Sequence, residues 1–78
     1  MIFLVRFEHE DSFVTTHLIF AEDLNEAKNK LEDWFSEEYA IKDGDWYMDS
    51  DGDKIRVETL AKVQNLNELI KWLPVIGE

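Results

Sequence analysis

The first segment, Ile2–Glu8, is β-branched, aromatic and aliphatic for most of its length, which predicts a strand. A polar connector of His9, Glu10, Asp11 and Ser12 follows, then a second apolar-rich run, Phe13–Ala21. A connector that short makes the pair an antiparallel hairpin. The period changes after Asp23. Leu24, Ala27, Leu31, Trp34 and Phe35 recur at spacings of three and four, the stripe of a helix over about Leu24–Tyr39. Asp23 is a good N-cap, and Glu26 three residues on completes a capping box.

The second half repeats the plan. Lys42, Asp43 and Gly44 read as a loop, Asp45–Asp49 as a short strand, and Asp49–Asp53 as a turn centred on Asp51-Gly52. Lys54–Val63 alternates: Ile55, Val57, Thr59, Ala61 and Val63 face one way, Lys54, Arg56, Glu58 and Lys62 the other. Asn65 then caps a second helix with the stripe Leu66, Leu69, Ile70 and Leu73, ended by Pro74. The two helix starts, Asp23-Leu24-Asn25-Glu26 and Asn65-Leu66-Asn67-Glu68, resemble each other, as a tandem ββα duplication would produce and as shared capping chemistry would too. The expected fold is one α+β domain over 1–78, with ββα units at 1–39 and 44–74. In the order ββαββα it forms a two-layer sandwich, a four-stranded antiparallel sheet with both helices on one face.

One feature strains that picture. A sheet covered on one face should alternate apolar and polar. In the first strand Phe3, Val5 and Phe7 share a face, yet Ile2 and Leu4 lie on the other. The outer face of the first hairpin therefore needs a cover: the tail at Val75-Ile76, a second copy of the chain, or a target protein.

Composition narrows the function. Seventy-eight residues make one small domain, and 45% apolar residues are enough for a core. Eighteen acids against eight bases leave a net charge of −10. Such a field repels DNA, RNA and anionic membranes and favours a basic partner. Solubility alone accounts for most of it, since a small domain needs a net charge of roughly 2–8. There is no cysteine, so disulfides and thiolate metal sites are excluded. No apolar run is long enough to span a membrane, and the N-terminus does not read as a signal peptide, so a cytoplasmic location is expected.

The densest chemistry is Asp43–Asp53, where five aspartates surround Trp46, Tyr47 and Met48. It is not a calcium loop. With Gly52 at the invariant glycine position, Tyr47 falls where the first acid belongs. With Asp49 as that first acid, Lys54 stands at the glycine position and Leu60 at the final glutamate. No cofactor or metal is implied. Neither His9 nor His17 stands beside a nucleophile motif, and no glycine-rich phosphate loop exists, so no enzymatic activity is expected. Nucleic-acid mimicry is the sharper reading. Acids two apart on a strand stand about 6.6 Å apart, close to the rise of two nucleotides. The local alternative is that aspartate simply favours turns. On the first helix, Glu32 and Asp33 precede Glu37 and Glu38 in the last turn, where the helix dipole disfavours anions.

In size, acidity and lack of cysteine the chain resembles small acidic proteins of bacteriophages and mobile elements, among them anti-CRISPR and anti-restriction inhibitors that occupy nucleic-acid channels. The resemblance implies an inhibitor of a basic, nucleic-acid-binding effector in the bacterial host. Lys54, Arg56 and Lys62 on the fourth strand move any decoy surface to the helix and loop side. The candidate partner-binding residues are Asp33, Glu37, Glu38, Asp43, Asp45, Asp49, Asp51 and Asp53, with Trp46 and Tyr47 as aromatic anchors. The alternative is a homodimeric interaction module joined through the first hairpin, with acidity serving only solubility.

Overall fold

The computed structural model describes residues 1–68 and 70–77. Its elements are β1 (Ile2–His9), β2 (Val14–Phe20), α1 (Leu24–Glu38), β3 (Ile41–Asp43), β4 (Trp46–Met48), β5 (Lys54–Val63) and β6 (Val75–Ile76). They form one six-stranded sheet in the order β3-β4-β5-β1-β2-β6. Every pairing is antiparallel except β2 with β6, which is parallel. The expected ββαββα sandwich with two helices and four antiparallel strands is therefore corrected. Among the described residues there is one helix, and the sheet is larger and mixed.

The first ββα unit forms as expected. Asp23 is extended (φ −154°) and its side chain accepts from the Glu26 amide at 2.9 Å, which starts α1. Glu26 does not close the capping box; its carboxylate reaches forward to Lys30 at 3.5 Å. Ala27, Leu31 and Phe35 are the buried stripe of α1. They meet Phe3, Val5 and Phe7 of β1, Ile19 of β2, Ile55 of β5 and Ile76 of β6 in one core. Burying a side chain of this kind contributes about 1.5–3 kcal/mol, so these residues hold helix to sheet.

The second unit departs from its expected form. The described residues of Asn65–Leu73 are not helical. Asn67 rather than Asn65 starts a turn, its carbonyl accepting from Ile70 at 3.2 Å and Lys71 at 3.0 Å. Leu69 of the expected stripe lies outside the described residues. Two physical reasons account for the difference. Too few residues separate Asn67 from Pro74 to repay helix nucleation. Residues 64–74 must also carry the chain back along the sheet and sideways over β1 and β2, about 14 Å at normal strand spacing. Pro74 ends the crossing, and its carbonyl accepts from the Leu18 amide at 2.8 Å. That contact leads into β6, where Ile76 is 2% exposed. Without a second helix the ββα duplication has no structural counterpart.

The direction of that crossing explains the apolar outer face. The connection through α1 carries the chain from β2 toward β3, and residues 64–74 carry it from β5 the opposite way, to β6. Right-handed crossovers running in opposite directions lie on opposite faces. By that rule the described residues of 64–74 cross on the face away from α1. Leu18, outside the α1-facing core, is 1% exposed, and Ile2 and Leu4 are half-buried. Val14 and Phe20 on the same face stay 39% and 36% exposed.

Strand β5 also departs from simple alternation. Phe7 pairs with Val57 but Arg6 pairs with Thr59, so Glu58 is a bulge residue. Ile55 and Val57 share the α1 face; past the bulge Leu60 and Lys62 take that face, and Thr59, Ala61 and Val63 turn away. Lys42-Asp43-Gly44 is not a plain loop either. Asp43 pairs with Trp46 across a two-residue turn, and Gly44 has φ +62°, which the first central position of a type II′ turn requires.

Candidate functional site

Helix α1 covers β1, β2 and β6 and leaves the α1-side face of β4 and β5 partly open. A cavity of about 440 Å³ lies there, lined by Lys28, Leu31, Glu32, Phe35, Asp45, Tyr47, Arg56 and Val57. A second, of about 330 Å³, adjoins it through Glu32, Phe35 and Tyr47. On the other flank of the helix a third, of about 590 Å³, is lined by Lys30, Asp33, Trp34, Glu37, Glu38, Val75 and Gly77.

This geometry separates the candidate residues into groups. Asp33, Glu37 and Glu38 stand together on the β6 flank of α1. All three are exposed, and so is Glu32 on the opposite flank. Among the described residues no ion pair involves any of the four, and the last turn of the helix holds no base. Asp43 lies across the sheet at its β3 edge, bound to Lys54 Nζ at 2.9 Å. Asp45 sits at the tip of the β3–β4 hairpin, exposed and in no ion pair among the described residues.

The turn aspartates divide by role. Asp49 Oδ1 accepts from the amides of Asp51 and Asp53, both at 2.9 Å. Asp53 accepts from the Tyr39 hydroxyl at 3.2 Å and faces His9 Nδ1 at 3.4 Å. Among the described residues the Asp51 side chain makes no such bond; it is exposed, beside Gly52 with φ +87°. The aromatic pair also splits, because successive strand residues point to opposite faces. Tyr47 stacks on Phe35 at 4.0 Å and 6°, on the α1 side. Trp46 lies on the other face beneath Arg56, 4.4 Å from its ring centroid.

The cluster of bases expected on one face of β5 is not there. Lys54 is held by Asp43 and Glu10, and Arg56 by Glu8 at 3.1 Å. The bulge turns Lys62 to the α1 side. The hydrogen bond from Lys54 to Asp43, helped by Glu10, holds its ammonium above the usual lysine range.

A polar chain spaced too widely in sequence to be foreseen links the ends of these elements. His9 closes β1 and is 7% exposed. Its Nε2 meets Thr15 Oγ1 at 2.8 Å and its Nδ1 meets Asp53, which holds Tyr39. The order hydroxyl, imidazole, carboxylate is that of a hydrolytic triad. Here Phe13 stacks on the imidazole at 4.0 Å, and the ring is closed over. The chain serves to tie β1, β2, the β4–β5 turn and the C-cap of α1 together. Burial, and then the bond to Asp53, push the Tyr39 phenol up to about 12. On β2, His17 packs edge-on against Phe7, with its Nδ1 buried and without a hydrogen-bond partner among the described residues. Burial, and then the charge of His9, lower its pKa. No local signal marks the His9–Asp53 contact, since 44 residues separate the partners.

No helix is long and apolar enough to cross a membrane among the described residues. Comparison with protein families, curated proteins and solved structures finds no match.

Proposed function

We propose that this is a non-enzymatic acidic binding protein whose α1 face occupies a basic, nucleic-acid-binding surface of a partner protein, in the manner of an anti-defence inhibitor. One observation carries the reading. Glu32, Asp33, Glu37 and Glu38 crowd the C-terminal half of α1, exposed and without ion pairs among the described residues. Glu37 and Glu38 stand in its last turn, at the negative end of the helix dipole, where each anion is disfavoured by about 0.3–1 kcal/mol. Five of the eight bases are engaged with other carboxylates, Arg6, Lys54, Arg56 and Lys71 away from α1 and Lys30 with Glu26 near the start of the helix. The uncompensated charge is therefore directional. Asp45 and Asp51 extend it weakly; Asp43, Asp49 and Asp53 are engaged within the fold and contribute little.

The test is binding to a panel of purified, DNA-free nucleic-acid-binding effectors, with duplex DNA as competitor. Binding is expected to weaken steeply with salt, since neutralised charges dominate such contacts. DNA should displace the protein, and joint Glu37→Gln and Glu38→Gln substitution should weaken binding about tenfold, a change of about 1.4 kcal/mol. Binding indifferent to salt and to these substitutions, or none to any member, overturns the proposal.

A further inference from the structure

The free edge of β5 carries an inference beyond the acidic helix. Strand β4 pairs with β5 only at Lys54 and Ile55. Beyond that the hairpin turns back at Gly44 and Asp45, while β5 runs on to Val63. Among the described residues, the stretch Thr59–Val63 is paired with β1 on one side and with nothing on the other. It is also the bulge-free part of the strand, since the extra residue is Glu58. Thr59, Ala61 and Lys62 are exposed, Leu60 and Val63 half-buried. The other two sheet edges are short, three residues at β3 and two at β6.

A row of unpaired backbone groups is a template for another strand. The slot here has a stop at one end, the β3–β4 hairpin tip, which lies in line with any strand added to β5. A stop fixes register. Antiparallel pairing of two copies centred on Ala61 sets Thr59 opposite its partner's Val63 and Leu60 opposite its partner's Lys62, and then ends at the two hairpin tips. Charge favours the same arrangement. Lys62 lies on the α1 side of β5 and is in no ion pair among the described residues. Asp45, at the tip, borders the cavity on that same side and has none either. In the paired arrangement the Lys62 of each copy runs toward the Asp45 of the other. A twofold pair uses each edge once and closes, so it builds no fibre.

We propose that two copies of the chain join edge to edge through Thr59–Val63 of β5, twofold about Ala61, with Lys62 of each copy beside Asp45 of the other. The contact is small and the pair correspondingly weak. It lies away from Glu37 and Glu38, so its failure and that of the acidic-helix reading are separable.

Sedimentation of the full chain from about 10 µM to 1 mM tests it, a range suited to a weak interface. The expected result is a reversible shift from the 9.3 kDa monomer to twice that mass. Asp45→Lys and Lys62→Glu should each weaken the pair about tenfold or more, and the double variant should restore most of the loss. Ala61→Arg, at an exposed position, should abolish the pair while circular dichroism stays unchanged. A monomer at every concentration overturns the proposal. So does a dimer indifferent to Asp45→Lys, Lys62→Glu and Ala61→Arg, or one lost on Phe20→Ser instead, which would assign the interface to the first hairpin.

Discussion

Asp49 separates a structural use of the aspartate stretch from a decoy use. Its Oδ1 accepts two backbone N–H groups at 2.9 Å, from Asp51 and Asp53. Its own amide donates to the Asp53 carbonyl at 3.0 Å, and its carbonyl accepts from Gly52 at 3.2 Å. Asp49→Ala removes the first two bonds and leaves the backbone pair. Asp49 is only half-buried, so water replaces part of what is lost. A loss of about 1–2 kcal/mol follows from two partly exposed bonds to a carboxylate. For a domain of this size each kcal/mol shifts Tm by about 4–8 °C, so a fall of about 4–16 °C is expected. Asp49→Asn keeps an acceptor at the same atom and should stay within about 0.5 kcal/mol of the parent. Asp51→Ala removes an exposed side chain with no such role and should do the same. Thermal unfolding at pH 7, followed by circular dichroism, reads all three. The argument fails if Asp49→Ala melts with the parent, or if Asp51→Ala is as damaging as Asp49→Ala.

Two further outcomes follow from the core. Because folding lowers the His17 pKa below 6.5, the unfolded chain binds more protons between the two values. Stability is therefore full above pH 6.5 and falls as pH drops through the lowered value; melting of the parent should lose more between pH 8 and pH 5.5 than melting of His17→Leu, and equal losses would refute this. The Phe35–Tyr47 stack at 4.0 Å should give a coupling of about 0.5–1.5 kcal/mol in a double-mutant cycle with Phe35→Leu and Tyr47→Leu, where additive losses would show that the rings merely share burial.

The parts of the fold that could be read in advance are those decided locally. The Asp23 cap, the 3.6-residue stripe of α1 and the turn at Asp51-Gly52 are each set by residues close in sequence, and each formed. The second helix had the same local marks, but its ends are tethered to β5 and to β6, and the tether decides the conformation of residues 64–74. Strand β6 is two residues long, too short for any periodicity, and it pairs with β2 across more than half the chain. The bulge at Glu58 is likewise invisible to a count of alternating positions. Its consequence is large, because it moves Lys62 to the helix side. The candidate site suffered in the same way. Asp33, Glu37 and Glu38 are neighbours on a helix and stayed together; Asp43 and Asp53 depended on partners farther along the chain, Lys54 for the one and Tyr39 with His9 for the other, while Asp49 is held by turn amides only two and four residues on.

The same distinction bears on what the charge is for. A sheet brings distant residues side by side, and this one matches Arg6 with Glu58, Arg56 with Glu8, and Lys54 with both Glu10 and Asp43. Each match cancels a charge where it stands. A helix can pair only residues three or four apart; among the described residues α1 makes one such ion pair, Glu26–Lys30, Lys28 four residues before Glu32 makes none, and the last turn holds no base for Glu37 or Glu38. Solubility needs net charge but is indifferent to its position. Were solubility the whole demand, the carboxylates would be as well placed near the N-terminus of α1, where the dipole stabilises them. They stand instead at the end that destabilises the helix, on its exposed face, with the sheet's own charge largely neutralised behind them. A field directed outward from one end of one element is the feature on which the proposed basic partner rests, and moving those carboxylates to the first turn of α1 at constant net charge separates it from solvation.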